Sequence, residues 1–274
     1  MRRNGWKSIN GEQVRHLNWY EGDDLVKDDA IEFQEKNMKN IANMAQNEEV
    51  ANSTQIWMNN VNQYQYTYHF NWLGRPIIQY PQDIIAMQEI IWQVQPDLII
   101  ETGIARGGSL VFYASMLELN AICGGDNAAE VIGLDIDIRQ HNRVAIEAHP
   151  LNKRIRMIEG DSISDEVIRQ VEAIAMGKKK ILVCLDSHHT HNHVLAELSA
   201  YAPLVTSGSY CVVFDTLIED MPEDTFQDRP WGKGNNPKTA VHEYLKTHPE
   251  FSIDKSIEDT LLITVAPSGY LKRS

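Results

Sequence analysis

The sequence predicts an α/β protein in which a mainly parallel sheet is flanked by helices and preceded by a helical N-terminal extension. From residue 96 onward, short apolar runs of strand type alternate with amphipathic helical stretches. This alternation is typical of repeated βαβ units, which build parallel sheets. The runs are 98–100, 131–134, 155–158, 181–185 and 210–214, and the helical stretches between them include 110–119, 165–175 and 193–201.

Residues 1 to about 95 differ from the rest because they are rich in Asn, Gln and charged side chains. Apolar residues at helical spacing predict helices over 28–47 and 82–94. The aromatic side chains of 64–72 alternate as in a strand, but Gly74 and Pro76 are expected to end any regular element. We therefore predict a helical extension or lid over residues 1–80 and a ligand-binding domain over 81–274.

The overall composition limits the class of protein. The chain has 274 residues and a formal charge of −13, and 43% of its residues are hydrophobic, enough for a packed core. An acidic chain lacks the basic surface that non-specific nucleic-acid binding requires. The sequence contains no run of 18 consecutive apolar residues, so we expect no membrane-spanning helix. The three cysteines Cys123, Cys184 and Cys211 lie in or beside apolar runs, so we expect buried, reduced thiols and a cytoplasmic protein.

Five apolar runs are each followed by an acid. These acids are Glu101, Asp135, Asp161, Asp186 and Asp215, at intervals of 34, 26, 25 and 29 residues. In an open parallel sheet the ligand binds outside the carboxyl ends of the strands, so the acids should meet at one edge. An acid in this place can also cap the next helix, but five in succession favour contact with a ligand. The stretch 215–228, with six acids and no base, is expected to be a loop.

A glycine turn follows the first of these strands. It contains Gly103, Gly107, Gly108 and Ser109 after Glu101, and such glycines bring backbone N–H groups close to a ligand at a helix start. The spacing is neither the G-x-G-x-x-G dinucleotide fingerprint nor a P-loop, which disfavours a dehydrogenase. An acid before the turn suits a ligand with an amino group and a positive charge. S-adenosylmethionine fits that description.

The next two acids supply candidate contacts for a nucleoside. Asp135 ends the second strand and is placed to accept the ribose hydroxyls, while Asp137, two residues on, is the rival for that role. Asp161 is a candidate for the adenine amino group. Alternatively, Asp161 or Ser162 caps the helix that begins near residue 165.

The last two acids suggest a metal site. Asp186 and Asp215 offer the oxygen ligands that suit Mg²⁺, and Thr216 could add a hydroxyl. His189, three residues after Asp186, is a candidate general base because its ordinary pKa is near neutrality; alternatively, it only orients Asp186 or caps a helix. A zinc or iron site within His188–His193 is disfavoured, because these histidines point in different directions from one short segment.

These segments together resemble the cephalosporin hydroxylase/rhamnosyl O-methyltransferase family, from about Trp72 to Arg273. The resemblance rests on the glycine turn and on further segments, which are 135–139, 185–190, 193–198, 201–205, 215–216 and 267–272. It implies a Rossmann-like class I methyltransferase sheet of seven strands. It also implies S-adenosylmethionine at Glu101, Gly103 and Asp135, and a divalent ion at Asp186 and Asp215. The family commonly has an acid directly before the Asp-Thr pair, where this chain has Phe214.

The leading hypothesis is an S-adenosylmethionine-dependent, Mg²⁺-assisted O-methyltransferase that acts on a hydroxyl of a sugar or natural product. The segments 64–72 and after 215 would close over this small-molecule acceptor, and Arg106 and Lys233 could meet a phosphate on it. Self-association through the N-terminal part is a further expectation. Two alternatives stay open: an iron-dependent oxygenase that uses the 188–193 histidines, and a non-catalytic cofactor-binding module.

Overall fold

The computed structural model describes residues 6–9, 12–15 and 24–274. The chain divides into two compact units, Met1–Glu48 and Glu49–Ser274. In the first unit, strands β1 (Trp6–Ile9) and β2 (Glu12–Arg15) pair antiparallel, and helix α1 (Asp24–Ala45) follows. The helix predicted over 28–47 is confirmed, although it begins four residues earlier and ends two residues earlier than expected.

The second unit begins with a helix and a hairpin. Helix α2 (Glu48–Asn62), which was not predicted, leads to a short 3-10 helix, and strands β3 (Phe70–Trp72) and β4 (Arg75–Ile77) then pair antiparallel. The expectation that Pro76 ends regular structure is wrong, because Pro76 lies inside β4. Each strand of a two-stranded hairpin has a free edge, where a residue without an N–H group is tolerated.

The rest of the second unit alternates strands and helices. The strands are β5 (Leu98–Thr102), β6 (Glu130–Asp135), β7 (Ile155–Glu159), β8 (Ile181–Leu185), β9 (Tyr210–Val213), β10 (Phe251–Ile253) and β11 (Tyr270–Arg273). The helices are α3 (Pro81–Val94), α4 (Gly108–Ile122), α5 (Gln140–Glu147), α6 (Asp165–Ala175), α7 (His191–Tyr201), α8 (Pro237–Tyr244) and α9 (Lys255–Leu261). The five predicted strands and the predicted helices of this region are confirmed; α5, α8, α9, β10 and β11 were not predicted.

The seven strands from β5 onward form one sheet in the order β10-β11-β9-β8-β5-β6-β7. Strands β9, β8, β5, β6 and β7 pair parallel, whereas β11 pairs antiparallel with both β9 and β10. The predicted fold class, a mainly parallel seven-stranded sheet flanked by helices, is confirmed. The strand order reverses beside β5, and the crevice at such a reversal is where ligands bind in doubly wound sheets.

The central strands are buried on both faces, which explains their continuous apolar runs. In β5, Ile99 packs with the core that includes residues of α3 and α4, whereas Leu98 and Ile100 pack with the core that includes residues of α6, α7 and α8. This alternation follows from the two-residue period of a strand. Each such side chain contributes about 1.5–3 kcal/mol on burial, so the strand ends are held firmly.

The cysteine and membrane expectations have different outcomes. Cys184 and Cys211 are buried as expected, but Cys123 is exposed. The expectation fails there because Cys123 lies at the C-cap of α4, where the chain leaves the packed helix. All three thiols are free. In the described parts of the chain, none of the helices combines the length and apolar character that a membrane crossing requires.

The stretch after β9 was expected to be a loop, but part of it is helical. A 3-10 helix covers Thr216–Asp220. Its N-cap is Asp215, whose φ of 56° lies in the left-handed region. The acidic side chains in this stretch gave no apolar periodicity from which the turn could be predicted, although Ile218 is buried under it.

Candidate active site

A cavity of about 540 Å³ opens at the carboxyl ends of the parallel strands. Four of the five predicted acids line it: Asp135, Asp161, Asp186 and Asp215. The fifth, Glu101, is the last residue but one of β5 and is 1% exposed. The expectation that these acids meet at one edge therefore agrees with their placement.

The glycine turn packs against two other backbone segments. A Cβ atom at Gly103 would lie 2.0 Å from the carbonyl oxygen of Asp186, and one at Gly108 would lie 2.1 Å from that of Pro76. Gly103, Gly108 and Ser109 line the cavity. Gly107 is not among the lining residues; its φ is 79°, and a side chain there would meet Ile146. The backbone conformation of the turn and the packing of Ile146 thus explain why a glycine occupies this position.

Glu101 is a buried carboxyl with one unsatisfied oxygen. Its Oε2 accepts a hydrogen bond from the hydroxyl of Ser109 at 2.9 Å, while its Oε1 has no hydrogen-bond partner among the described residues. Burial raises the pKa of Glu101 to about 8, and the charge of Asp135 adds to this rise, against the hydrogen bond from Ser109. A cationic group bound beside it would stabilise its ionised form.

Asp135 is held by the backbone of the glycine turn. Its Oδ2 accepts from the N–H groups of Ile104 at 2.9 Å and Ala105 at 3.3 Å, and its Oδ1 accepts from that of Asp137 at 3.1 Å. Asp137 is exposed, lies 3.9 Å from Arg139 and is not among the lining residues. Of the two rivals for the ribose contact, Asp135 is the one that borders the cavity.

The helix-cap alternative for Asp161 and Ser162 is wrong. Ser164 is the N-cap of α6, and its side chain accepts from the N–H of Val167. Asp161 lines the cavity and accepts from the N–H of Ile163 at 3.1 Å. The helix begins later than these residues, which leaves Asp161 exposed and available to a ligand.

Asp186, His189 and Asp215 converge in the cavity. One potential ligand atom from each lies within 4.8 Å of the others, and the Nε2 of His189 is 3.1 Å from the Oδ2 of Asp215. Desolvation by the surrounding protein, together with the nearby charge of Asp215, raises the pKa of Asp186 well above its usual range. The two carboxylates fit a divalent cation, whose charge would relieve the repulsion between them, and the imidazole of His189 lies beside this site.

The structure does not bring Thr216 to this cluster. Thr216 is fully buried, and its hydroxyl donates to the carbonyl oxygen of Pro267 at 2.7 Å. Phe214 on the other side of Asp215 is 1% exposed and packs in the hydrophobic core. Asp215 is thus the residue of this segment that reaches the cavity, from a left-handed backbone conformation that costs a non-glycine residue roughly 1–3 kcal/mol.

The neighbouring histidines have separate partners. His191 pairs with Glu243 at 3.2 Å, and His193 pairs with Glu197 at 3.4 Å, while His189 faces Asp215. Within the described residues, the one group of metal-binding side chains contains a single histidine. The two-histidine iron site of the oxygenase alternative is therefore not assembled by residues 188–193.

Sequence reasoning missed two side chains beside the cavity. Glu197 of α7 is fully buried and accepts from the hydroxyls of Ser162 and Ser187, both at 2.6 Å, so it joins the ends of β7 and β8. Its signal was an acid on an otherwise apolar helix face, four residues after His193. Gln79, which precedes α3, lines the cavity and is 6% exposed. Gln79 is a single polar residue between Ile78 and Tyr80, and no sequence motif marked it as a site residue.

The fold and the site together define a class I methyltransferase. A seven-stranded sheet with one reversed strand carries a glycine turn after its central strand and acids along the same edge. The family model described as Rhamnosyl O-methyltransferase/CmcI matches residues 64–274. The chain belongs to this family, which confirms the prediction of an O-methyltransferase.

Known relatives are similar over most of their length. The rhamnosyl O-methyltransferase of Mycobacterium tuberculosis H37Rv is 29% identical over 197 residues, covering 70% of this chain and 73% of that protein. That of Mycobacterium leprae is 28% identical over 205 residues, covering 74% and 82%. A solved structure of CmcI, described as Mg-SAM, has a TM-score of 0.50 at 17% identity, covering 76% of this chain and 77% of that one. That description names magnesium and S-adenosylmethionine as bound to CmcI.

Proposed function

We propose that this protein transfers the methyl group of S-adenosylmethionine to a hydroxyl of a sugar or of a sugar-bearing natural product, with the help of a divalent cation such as Mg²⁺. The observation that carries the proposal is the convergence of Asp186, His189 and Asp215 in the cavity that the glycine turn also lines. The names of the curated relatives support a sugar acceptor.

Side chains in and beside the cavity suit S-adenosylmethionine. Asp135 and Asp161 line the cavity as acceptors for hydroxyl and amino groups. Glu101 has an unsatisfied oxygen that suits the cationic methionine part. Gly103 lets the backbone approach the ligand closely. Glu101 would then lose its proton when the positively charged S-adenosylmethionine binds.

Asp186 and Asp215 would hold the divalent cation. A bound divalent ion lowers the pKa of a hydroxyl next to it. The protein's own contribution is to hold the acceptor and the cofactor in one cavity, so that the oxygen and the methyl group meet in line; such positioning supplies much of the rate in two-substrate reactions.

His189 is the proton acceptor in this proposal, as the sequence suggested. Its Nε2 lies 3.1 Å from Asp215, which favours the tautomer with the proton on Nε2 and leaves Nδ1 to accept a proton from the acceptor hydroxyl. This is the arrangement by which a carboxylate orients a general base. His189→Ala should lower kcat while S-adenosylmethionine still binds; full turnover at saturating substrate would remove His189 from this role.

Calorimetry tests the cofactor part of the proposal. The purified protein should bind S-adenosylmethionine, and a complete absence of binding would contradict it. For the cation, Asp186→Ala should abolish the response of activity to added Mg²⁺. Asp137→Ala is the matched control, because Asp137 is an exposed acid near the same edge that does not line the cavity. An unchanged Mg²⁺ response in Asp186→Ala would exclude Asp186 as a ligand.

The acceptor side of the cavity includes Thr67 and Tyr68, from the segment proposed to close over the acceptor. Arg106 also lines the cavity and could meet the phosphate of a nucleotide-linked sugar, whereas Lys233 is not among the lining residues. We therefore propose Arg106 as the phosphate contact if the acceptor is nucleotide-linked. Arg106→Ala should then raise the KM for such an acceptor without changing that for a free glycoside.

We also propose residues 81–274 as the methyltransferase domain and 1–80 as an extension that contributes to self-association. The first of these is supported by the sheet, which lies entirely within 98–273. A cytoplasmic location is supported by the three free thiols. Sedimentation of the full chain, compared with a chain that lacks residues 1–48, tests whether the extension associates.

A further inference from the structure

A buried amide beside the cation-binding cluster has no complete set of partners. Gln79 is 6% exposed and lies in the wall of the cavity. Its Nε2 donates to the Oδ2 of Asp186 at 3.5 Å, and its Oε1 has no partner among the described residues. A buried polar atom without a hydrogen bond costs free energy, so such an atom calls for a ligand or an ordered water.

The two ends of this amide have nearly the same shape, so its orientation follows from the hydrogen bonds around it. In either orientation one end faces Asp186 and the other lacks a protein partner. With the amide nitrogen toward Asp186, the side chain neutralises part of the repulsion between Asp186 and Asp215. With a cation bound there, the amide oxygen becomes the favourable end.

The residue directly before Asp215 supplies no oxygen ligand to the cation cluster. Phe214, directly before Asp215, is buried in the core, so the strand end of β9 contributes one carboxylate. Amide carbonyl oxygens are ligands that hard divalent cations accept in place of carboxylates. Gln79, in the segment between β4 and α3, reaches the other carboxylate of the cluster, that of Asp186.

We propose that the amide oxygen of Gln79 is a ligand of the divalent cation held by Asp186 and Asp215. This inference rests on the proposed function, since it deepens the cation site of that reaction. A neutral amide in place of a third carboxylate gives the cluster less negative charge. The site then binds Mg²⁺ less tightly than an all-carboxylate site, and a carboxylate at position 79 tightens it.

Calorimetric titration of the full chain with Mg²⁺ alone tests the inference without any need for turnover. Gln79→Ala should weaken Mg²⁺ binding by about tenfold or more, on the scale seen when the surroundings of a metal site are altered. Gln79→Glu should strengthen it. Gln82→Ala is the matched control, because Gln82 also has a buried amide oxygen without a partner but does not line the cavity. It should bind Mg²⁺ like the wild type.

A second measurement reports on the bond itself. In difference infrared spectra of Mg²⁺ binding, the wild type and Gln82→Ala should show a shift of a side-chain amide carbonyl band, and Gln79→Glu should lack it. This readout stands even if Gln79→Ala does not fold. A shifted band that persists in Gln79→Glu would overturn the inference.

The outcomes separate this inference from the proposed function. If wild type, Gln79→Ala and Gln79→Glu bind Mg²⁺ equally, Gln79 is not a ligand, while the cation site at Asp186 and Asp215 stands. If the wild type binds no Mg²⁺ at millimolar concentration, both the inference and the cation part of the proposed function fail. Absence of S-adenosylmethionine binding alone affects the proposed function and leaves the assignment of Gln79 intact.

Discussion

Replacing Glu101 by Gln should stabilise the free protein, and more so as the pH rises. The substitution keeps the shape of the side chain and an oxygen that can accept from Ser109, but it removes the ionisable group. In the wild type the pKa of Glu101 is raised from 4.5 to about 8 by burial. Between these two values the unfolded chain has lost the proton and the folded chain retains it.

The size of the effect follows from this shift in pKa. Because the folded state binds more protons in this range, the free energy of unfolding falls as the pH rises from 4.5 to 8. The rise of this pKa from 4.5 to about 8 corresponds to about 5 kcal/mol of unfolding free energy. Below pH 4.5 the wild type and Glu101→Gln should therefore be similar in stability. Above pH 8 the variant should be the more stable by up to this amount.

Urea unfolding of both proteins at several pH values between 5 and 9 measures the difference directly, and other titrating groups cancel in the comparison. Glu118→Gln serves as a control of opposite sign, because hydrogen bonds from Arg154 and Lys153 lower the pKa of Glu118, so that its contribution is lost as the pH falls. A difference between wild type and Glu101→Gln that does not change with pH would refute the reasoning.

Three further predictions concern the packing of the site and the burial of the cysteines. Gly103→Ala should lower the free energy of unfolding by about 3 kcal/mol or more, because its Cβ would overlap the Asp186 carbonyl oxygen. A loss under about 1 kcal/mol in urea unfolding would show that the turn can shift. Thr216→Val should lower the free energy of unfolding by about 1–3 kcal/mol, because it leaves the Pro267 carbonyl unpaired, and it should leave Mg²⁺ affinity unchanged. Weaker Mg²⁺ binding would support the metal role predicted for Thr216. In native protein a thiol reagent should label Cys123 quickly and the other two cysteines only after unfolding; rapid labelling of all three would contradict the burial of Cys184 and Cys211.

The parallel part of the fold could be predicted because its strands are buried on both faces. Runs such as 98–100 and 181–185 are fully apolar, and the helices between them show a clear apolar face. The last two strands were missed for a physical reason. β10 has only three residues, and β11 is half exposed toward its end, so neither has an uninterrupted apolar run.

The candidate site was predictable where one residue type repeats at one place in each βα unit. This is why Asp135, Asp161, Asp186 and Asp215 all line the cavity. Thr216 was placed by adjacency to Asp215, and adjacency fails where the backbone turns through a left-handed residue. Gln79 precedes the first βα unit, and Glu197 lies within helix α7 rather than at the end of a strand. Their positions depend on tertiary packing, which a local pattern does not report.

The carboxylate of Asp83 in α3 has a consequence for the order in which the protein can be assembled. It accepts from the hydroxyls of Thr264 and Tyr270 and from the N–H of Val265, and Val265 lines the cavity. A wall of the catalytic chamber is thus anchored by a group that is synthesised some 180 residues earlier. During synthesis the carboxylate of Asp83 has none of these three partners until the last part of the domain has been made. We expect a chain stalled before residue 264 to bind neither substrate, however well its first strands have formed.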